Sequence, residues 1–306
     1  MDKNEIYTLA KNKGLDIESS TITLNQSGVD FLVAHANDNH GRHWILRIPR
    51  KIESMRHAEQ EKMALDVISE HVPFQVPVWS IFSDELIAYE QLSGTPAGTI
   101  DMEKQAYVWE IDTAQIPPAF TDSLGRSLAA LHAVPTGSLN NTGVAIVETG
   151  QLRCSMKERM MTVKEHFSIH PGRWEYWQAW LANDAIWPEH TGVKHGDLHP
   201  GHLLINPDKQ VTGMIDWTET GVGDVSIDFV GHYKLFGNSA LQDVLAAYDN
   251  AGGKTWMQMD EHIRQLHQAE AIVVAEYALA SESKDMHEMT AQLLQVDPYE
   301  HDGNEA

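Results

Sequence analysis

Apolar and polar residues alternate along TITLNQSGVDFLVAHANDNHGRHWILRIPR, residues 21–50, with the two-residue period of half-buried strands. The pattern predicts three antiparallel strands, with turns at 25–28 and 37–41 and the third strand at 44–48. The period then lengthens. Met55, Ala58, Met63, Ala64, Val67 and Ile68 recur at helical spacing over 54–70, and Pro73 ends the run. VPVWSIF and LIAYEQL return to strand and predict a hairpin around 83–85, after which Ser93, Gly94 and Pro96 break the periodicity. A boundary near Leu92 is expected, dividing the chain into lobes 1–92 and 93–306.

Beyond that point the pattern turns helical. TDSLGRSLAALHAVP carries a Thr or Asp cap, Leu124, Leu128 and Leu131 on one face, and a terminating Pro135. Further helices are expected at 156–167, 173–183 and 261–280, and Trp174, Trp177 and Trp180 form a stripe that reads as packed core. The stretch 194–217, KHGDLHPGHLLINPDKQVTGMIDW, breaks the helical run. It reads as a polar loop followed by short strands at 203–205 and 211–215, joined by Asn206-Pro207-Asp208-Lys209 with proline where a type I turn favours it. The fold class is therefore α+β, a small antiparallel sheet followed by a mainly helical part. The polar residues at the C-terminus, DPYEHDGNEA, read as frayed.

Composition adds bounds. In 306 residues, 42% apolar and 8% aromatic side chains are enough to fill a core. The first twenty residues, MDKNEIYTLAKNKGLDIESS, resemble no signal peptide, and no window approaches a membrane span, so the protein is expected in the cytoplasm. Cys154 is the sole cysteine, which excludes an internal disulfide and a cysteine-based zinc site. Twenty-two basic residues against 44 acidic ones give a net charge of −22, which repels nucleic acid and anionic membrane and tolerates cationic small molecules. A polyphosphate would need metal ions and local basic groups to bind such a chain.

The candidate chemistry lies in 194–217. The turn at 206–209 folds Asp197 and His202 towards Asp216. Metal-assisted phosphoryl transfer needs this set: one carboxylate to orient the attacking hydroxyl, and two ligands for the ion that neutralises the leaving phosphates. His195 and His199 are four apart, but Gly196, Pro200 and Gly201 argue against the helix that such a pair would need to bind zinc.

His195-Gly196-Asp197, the ligand position five residues after the aspartate, and Ile215-Asp216 resemble the catalytic loop and metal-binding segment of aminoglycoside and macrolide phosphotransferases, relatives of the protein kinases. The resemblance extends over nearly the whole chain and implies the kinase-like two-lobed fold. It puts Arg47 where the superfamily places a lysine on the α- and β-phosphates, and Glu61 where that lysine's partner lies. His202 replaces the usual asparagine. With Arg47 and the runs WILRIPR, LIAYEQL, HGDLHPGHLLI and GMIDWTE, it makes the chain more similar to macrolide 2′-phosphotransferases than to aminoglycoside kinases.

That resemblance implies transfer of phosphate from GTP, with ATP possible, to the desosamine 2′-hydroxyl of a macrolide antibiotic, and hence resistance. It implies Asp197 as the residue that positions the hydroxyl, and Mg²⁺ on His202 and Asp216. Asn25, Ser27 and Gly28 are expected to bring backbone N–H groups to the β- and γ-phosphates, Leu204 and Ile215 to lie below the base, and backbone groups of Glu90 and Leu92 to read its edge. Asp228 is expected to support the catalytic loop by hydrogen bonding. Tyr233, Phe236 and Tyr277 are candidate apolar faces for the lactone ring, and Asp197 a partner for the macrolide's dimethylammonium group. A monomer is expected. A kinase of an aminoglycoside, choline or a sugar remains open, as does a silent nucleotide-binding module.

Overall fold

The computed structural model describes residues 1–26, 30–51, 53–101, 103, 106–281 and 283–297. It begins with α1 (Lys3–Asn12), a helix that the sequence reading did not anticipate. Asp2 accepts hydrogen bonds from the Asn4 and Glu5 backbone N–H groups, and Glu5 accepts from the Asp2 N–H in return. This capping box satisfies donors that a helix start otherwise leaves open.

β1 (Thr23–Asn25), β2 (Phe31–Asn37) and β3 (His43–Pro49) follow, then α2 (Glu53–Ile68), β4 (Trp79–Ser83) and β5 (Leu86–Glu90). The strands form one antiparallel sheet in the order β1-β2-β3-β5-β4. Alternation decides what each face does. Trp44, Leu46 and Ile48 of β3 join Leu32, Ala34 and Ala36 of β2 in a small core closed by Ile6 and Ala10 of α1. Ile45 and Arg47 therefore point to the opposite face, and the register sets Arg47 between Val33 and Ile87. α2 buries Met55, Ala58, Ala64, Leu65 and Ile68 in the larger core.

Past β5 the chain is not immediately helical, as the sequence reading had it. β6 (Thr95–Pro96) pairs with a later strand, and β7 (Gly98–Asp101) with β8 (Ala106–Trp109) forms a hairpin. Its four-residue strands are too short to stand out as a period. α3 (Pro118–His132) starts ahead of the expected Thr or Asp cap, with Pro118 at a position where a missing N–H costs nothing.

Next come β9 (Ala145–Ile146), α4 (Thr149–His166), α5 (Pro171–Ala182), β10 (Gly192–Lys194), β11 (Leu203–Ile205), β12 (Val211–Met214) and β13 (Gly221–Gly223). α4 begins earlier than the expected 156, at the Glu148–Gln151 capping box. In α5, Trp177 and Trp180 are buried and Trp174 packs against them from the rim of the core.

The chain ends with α6 (Ile227–Asn250), α7 (Met259–Gln268), α8 (Glu270–Ala280) and α9 (Lys284–Leu294). The helix expected over 261–280 is thus two helices meeting at Ala269. α6, kinked at Gly237, and α9 were not foreseen. The whole is α+β and kinase-like, an antiparallel sheet beside a helical body. Among the described residues no helix is long and apolar enough to cross a membrane.

Candidate active site

β10 delivers the chain to His195, which is buried. Gly196 follows at φ 93°, and a Cβ there would collide with the Glu219 carbonyl, so only glycine fits both constraints. The backbone N–H groups of His195 and Gly196 each donate to Asp228 at 2.8 Å. Asp228 sits in the first turn of α6 and also meets His132 Nε2 at 3.1 Å, while His132 Nδ1 lies 3.0 Å from the Tyr248 hydroxyl. Burial alone would raise the Asp228 pKa, but the His132 hydrogen bond and charge and the Gly196 N–H hold it below the usual range.

The His195 ring ties the loop to the next hairpin. Its Nε2–H donates to the Ile215 carbonyl at 3.0 Å and its Nδ1 accepts from the Asp197 N–H at 3.4 Å. Burial depresses its pKa to about 4, so the ring is neutral near pH 7.

Asp197 projects from this anchored loop with its side chain 56% exposed. Its carbonyl accepts a hydrogen bond from His202 Nδ1 at 2.8 Å. A carbonyl only accepts, so Nδ1 carries a proton, and the lone pair of the uncharged tautomer sits on Nε2. That nitrogen lies 3.6 Å from Asp216 Oδ2, too far for a direct hydrogen bond. A histidine fixed by a backbone carbonyl, with its free nitrogen turned to a carboxylate, fits a bound cation.

The β11–β12 hairpin carries Asp216 there through a turn in which the Lys209 N–H donates to Asn206 O at 2.9 Å. Asp216 has φ 63°, a left-handed conformation that costs of order 1 kcal/mol at a non-glycine residue. Burial would raise its pKa, yet His202, the Thr218 hydroxyl and Arg47 lower it on balance.

Asp216 also lines a cleft of about 610 Å³. Asn25, Val33, His35, Ile45 and Arg47 of the sheet form one wall, with Glu61 of α2 behind them. Tyr89, Gln91, Leu92 and Gly94 close the back, and Leu204, Ile215 and Thr218 form the opposite wall. Arg47 Nη1 donates to both Glu61 carboxylate oxygens, at 2.8 and 3.0 Å, with the side chains 12% and 2% exposed. The guanidinium also lies 4.5 Å from the Phe31 ring centroid and 5.3 Å from that of Trp79. Burial opposes its charge, but Glu61 raises its pKa further, so Arg47 stays cationic.

The structure therefore brings Asn25, Arg47, Glu61, Leu92, Leu204, Ile215 and Asp216 to one cleft, with His202 adjoining Asp216 and Asp197 adjoining His202. Ser27 and Gly28 lie outside the described residues. Glu90 is exposed and bonded to Arg42 at 2.8 Å, and is not among the residues lining the cleft. Phe236 packs on Trp109 and His232 and shares a crevice with Leu198 and His199. Tyr233 meets the His267 ring edge-on and Tyr277 stands 54% exposed on α8, and neither is among the residues lining the cleft. Sequence reasoning missed Phe31, Trp79, Tyr89 and His132. Counting strand register from Arg47 would have found the first, whereas His132 is signalled by nothing local.

The Phosphotransferase enzyme family model matches residues 21–262. A Bacillus subtilis (strain 168) protein, "Uncharacterized protein YcbJ", is 37% identical over 292 residues, 95% of each chain. Macrolide 2′-phosphotransferase MphH from Brachybacterium faecium, solved as the apoenzyme, has a TM-score of 0.91 at 32% identity, covering 96% of this chain and 97% of its own. A macrolide 2′-phosphotransferase type I structure has a TM-score of 0.89 at 33% identity, with the same coverage. The GDP complex of aminoglycoside 2′-phosphotransferase-IIIa shares the fold, with a TM-score of 0.74 at 19% identity over 97% of this chain and 98% of that one.

Proposed function

The chain belongs to the phosphotransferase enzyme family, and from that premise we propose that it is a macrolide 2′-phosphotransferase, using GTP or ATP and conferring resistance. In this reading residues 1–92 bind nucleotide, residues 93–306 carry the catalytic loop and acceptor pocket, and the protein acts in the cytoplasm as a monomer. The observation that carries it is the convergence of Asp197, His202 and Asp216 beside a cleft whose other wall holds the cationic Arg47. The identity to two macrolide enzymes supports the acceptor class.

Arg47, oriented by Glu61, binds the α- and β-phosphates, and Asn25 lies on the same wall. Leu204 and Ile215 offer apolar contact to the base, and Leu92 borders its edge. The Mg²⁺ that Asp216 and His202 would hold supplies neutralising charge for the phosphates. Asp197 accepts a hydrogen bond from the 2′-hydroxyl and turns its oxygen towards the γ-phosphorus; as the new O–P bond forms the β–γ bridge breaks, and the hydroxyl proton passes to the carboxylate. The transition state is loose, so alignment outweighs proton abstraction.

The test is mass spectrometry of erythromycin after incubation with GTP, Mg²⁺ and the protein, with kanamycin and choline in parallel. One phosphate added to erythromycin at the desosamine 2′-oxygen is expected; addition only to kanamycin or choline would refute the acceptor class.

A further inference from the structure

His199 has no part in this reading, yet the loop holds it close. A Cβ on Gly201 would meet the His199 ring at 2.6 Å, so the glycine lets that ring fold back. Its centroid lies 3.8 Å from that of His202, and its Nδ1 accepts the Gly201 N–H at 3.1 Å. Asp197, His199 and His202 each present one ligand atom, all within 4.8 Å of one another, the one group of this kind found among the described residues.

Two imidazoles and a carboxylate are a poor match for magnesium, which prefers oxygen, and a good one for zinc. We propose that Asp197, His199 and His202 form a zinc site that shares only His202 with the pair His202 and Asp216, and that zinc bound there shuts the enzyme off. Zinc takes three such ligands and keeps a fourth position for water. Around an ion with bonds of about 2 Å the ligand atoms must draw closer than they now stand, and the exposed Asp197 side chain has room to rotate. Once bound to zinc, the Asp197 carboxylate is no longer available to the acceptor hydroxyl, and His202 Nε2 is turned from Asp216. The inhibition rests on the phosphotransfer reading; the binding does not.

The experiment titrates the full-length protein, without nucleotide, with Co²⁺ followed by visible absorption and with Zn²⁺ by calorimetry. His199→Asn removes the imidazole while keeping an oxygen that can accept the Gly201 N–H. Its zinc affinity should fall by at least roughly tenfold, the lower end of what even outer partners of a metal ligand contribute. Asp216→Ala should bind zinc as the wild type does. In turnover assays with Mg²⁺, His199→Asn should keep its basal rate and lose sensitivity to zinc. Equal zinc affinity in wild type and His199→Asn, or its loss in Asp216→Ala, would overturn the site. If zinc binds through His199 but no erythromycin is phosphorylated, the functional reading fails and the site stands.

Discussion

Asp228 is the residue on which the geometry of the loop at 195–202 converges, because one buried carboxylate accepts two backbone N–H groups and faces His132. Asp228→Ala leaves those donors unpaired in the interior, at about 1–3 kcal/mol each, so a large fall in melting temperature is expected by calorimetry. His132→Phe takes one partner from Asp228 and should destabilise less than Asp228→Ala, because the two backbone donors remain; it also tests positioning, with kcat expected to drop while KM for nucleotide stays near wild type. Arg47 and Glu61 behave as a pair. Removing Glu61 strands a buried guanidinium, and Glu61→Ala should destabilise by about 3–5 kcal/mol in urea unfolding and raise KM for nucleotide. The roles proposed for Asp197, His202 and Asp216 were legible because their residue types and spacing are local. The contact between His199 and His202 was not, because it depends on the room left by Gly201 rather than on any helical or strand period.

At the scale of elements, the strands were legible and several helices were not. β2 and β3 alternate cleanly, since one face meets the α1 core and the other the cleft, and that alternation also carries Arg47 to the cleft. α6 escaped because Gly231 and Gly237 interrupt its apolar face, and its first turn holds Asp228. Gly231 is needed where it stands: a Cβ there would collide with the Leu198 carbonyl, so α6 presses directly on the loop that carries Asp197 and His202. α6 also carries His232, whose pKa burial depresses to about 4, matching His195. In the unfolded chain both would titrate near pH 6.5. The unfolded state therefore binds protons that the folded state refuses between about pH 6.5 and 4, and stability falls as pH drops through that window, by up to about 3 kcal/mol per histidine. Urea midpoints measured across it should fall for wild type and fall less steeply for His232→Gln.

Over the whole molecule, a charge of −22 opposes the approach of a nucleotide, while Arg47 attracts it only at short range. Raising ionic strength from roughly 0.01 to 0.15 M cuts the Debye length from about 30 to 8 Å, which screens the long-range repulsion before the contact at Arg47. The association rate of nucleotide in stopped-flow should therefore rise with salt; a steep fall would mean that a local positive field dominates. In the proposed reaction Asp197 aligns the acceptor while Arg47 and Asp216 serve the nucleotide. This division of roles is tested most directly by measuring GTP affinity and erythromycin phosphorylation side by side in wild type and Asp197→Ala. GTP affinity should be kept and turnover should fall by roughly 10²- to 10⁴-fold. Turnover near the wild-type rate in Asp197→Ala would contradict that division.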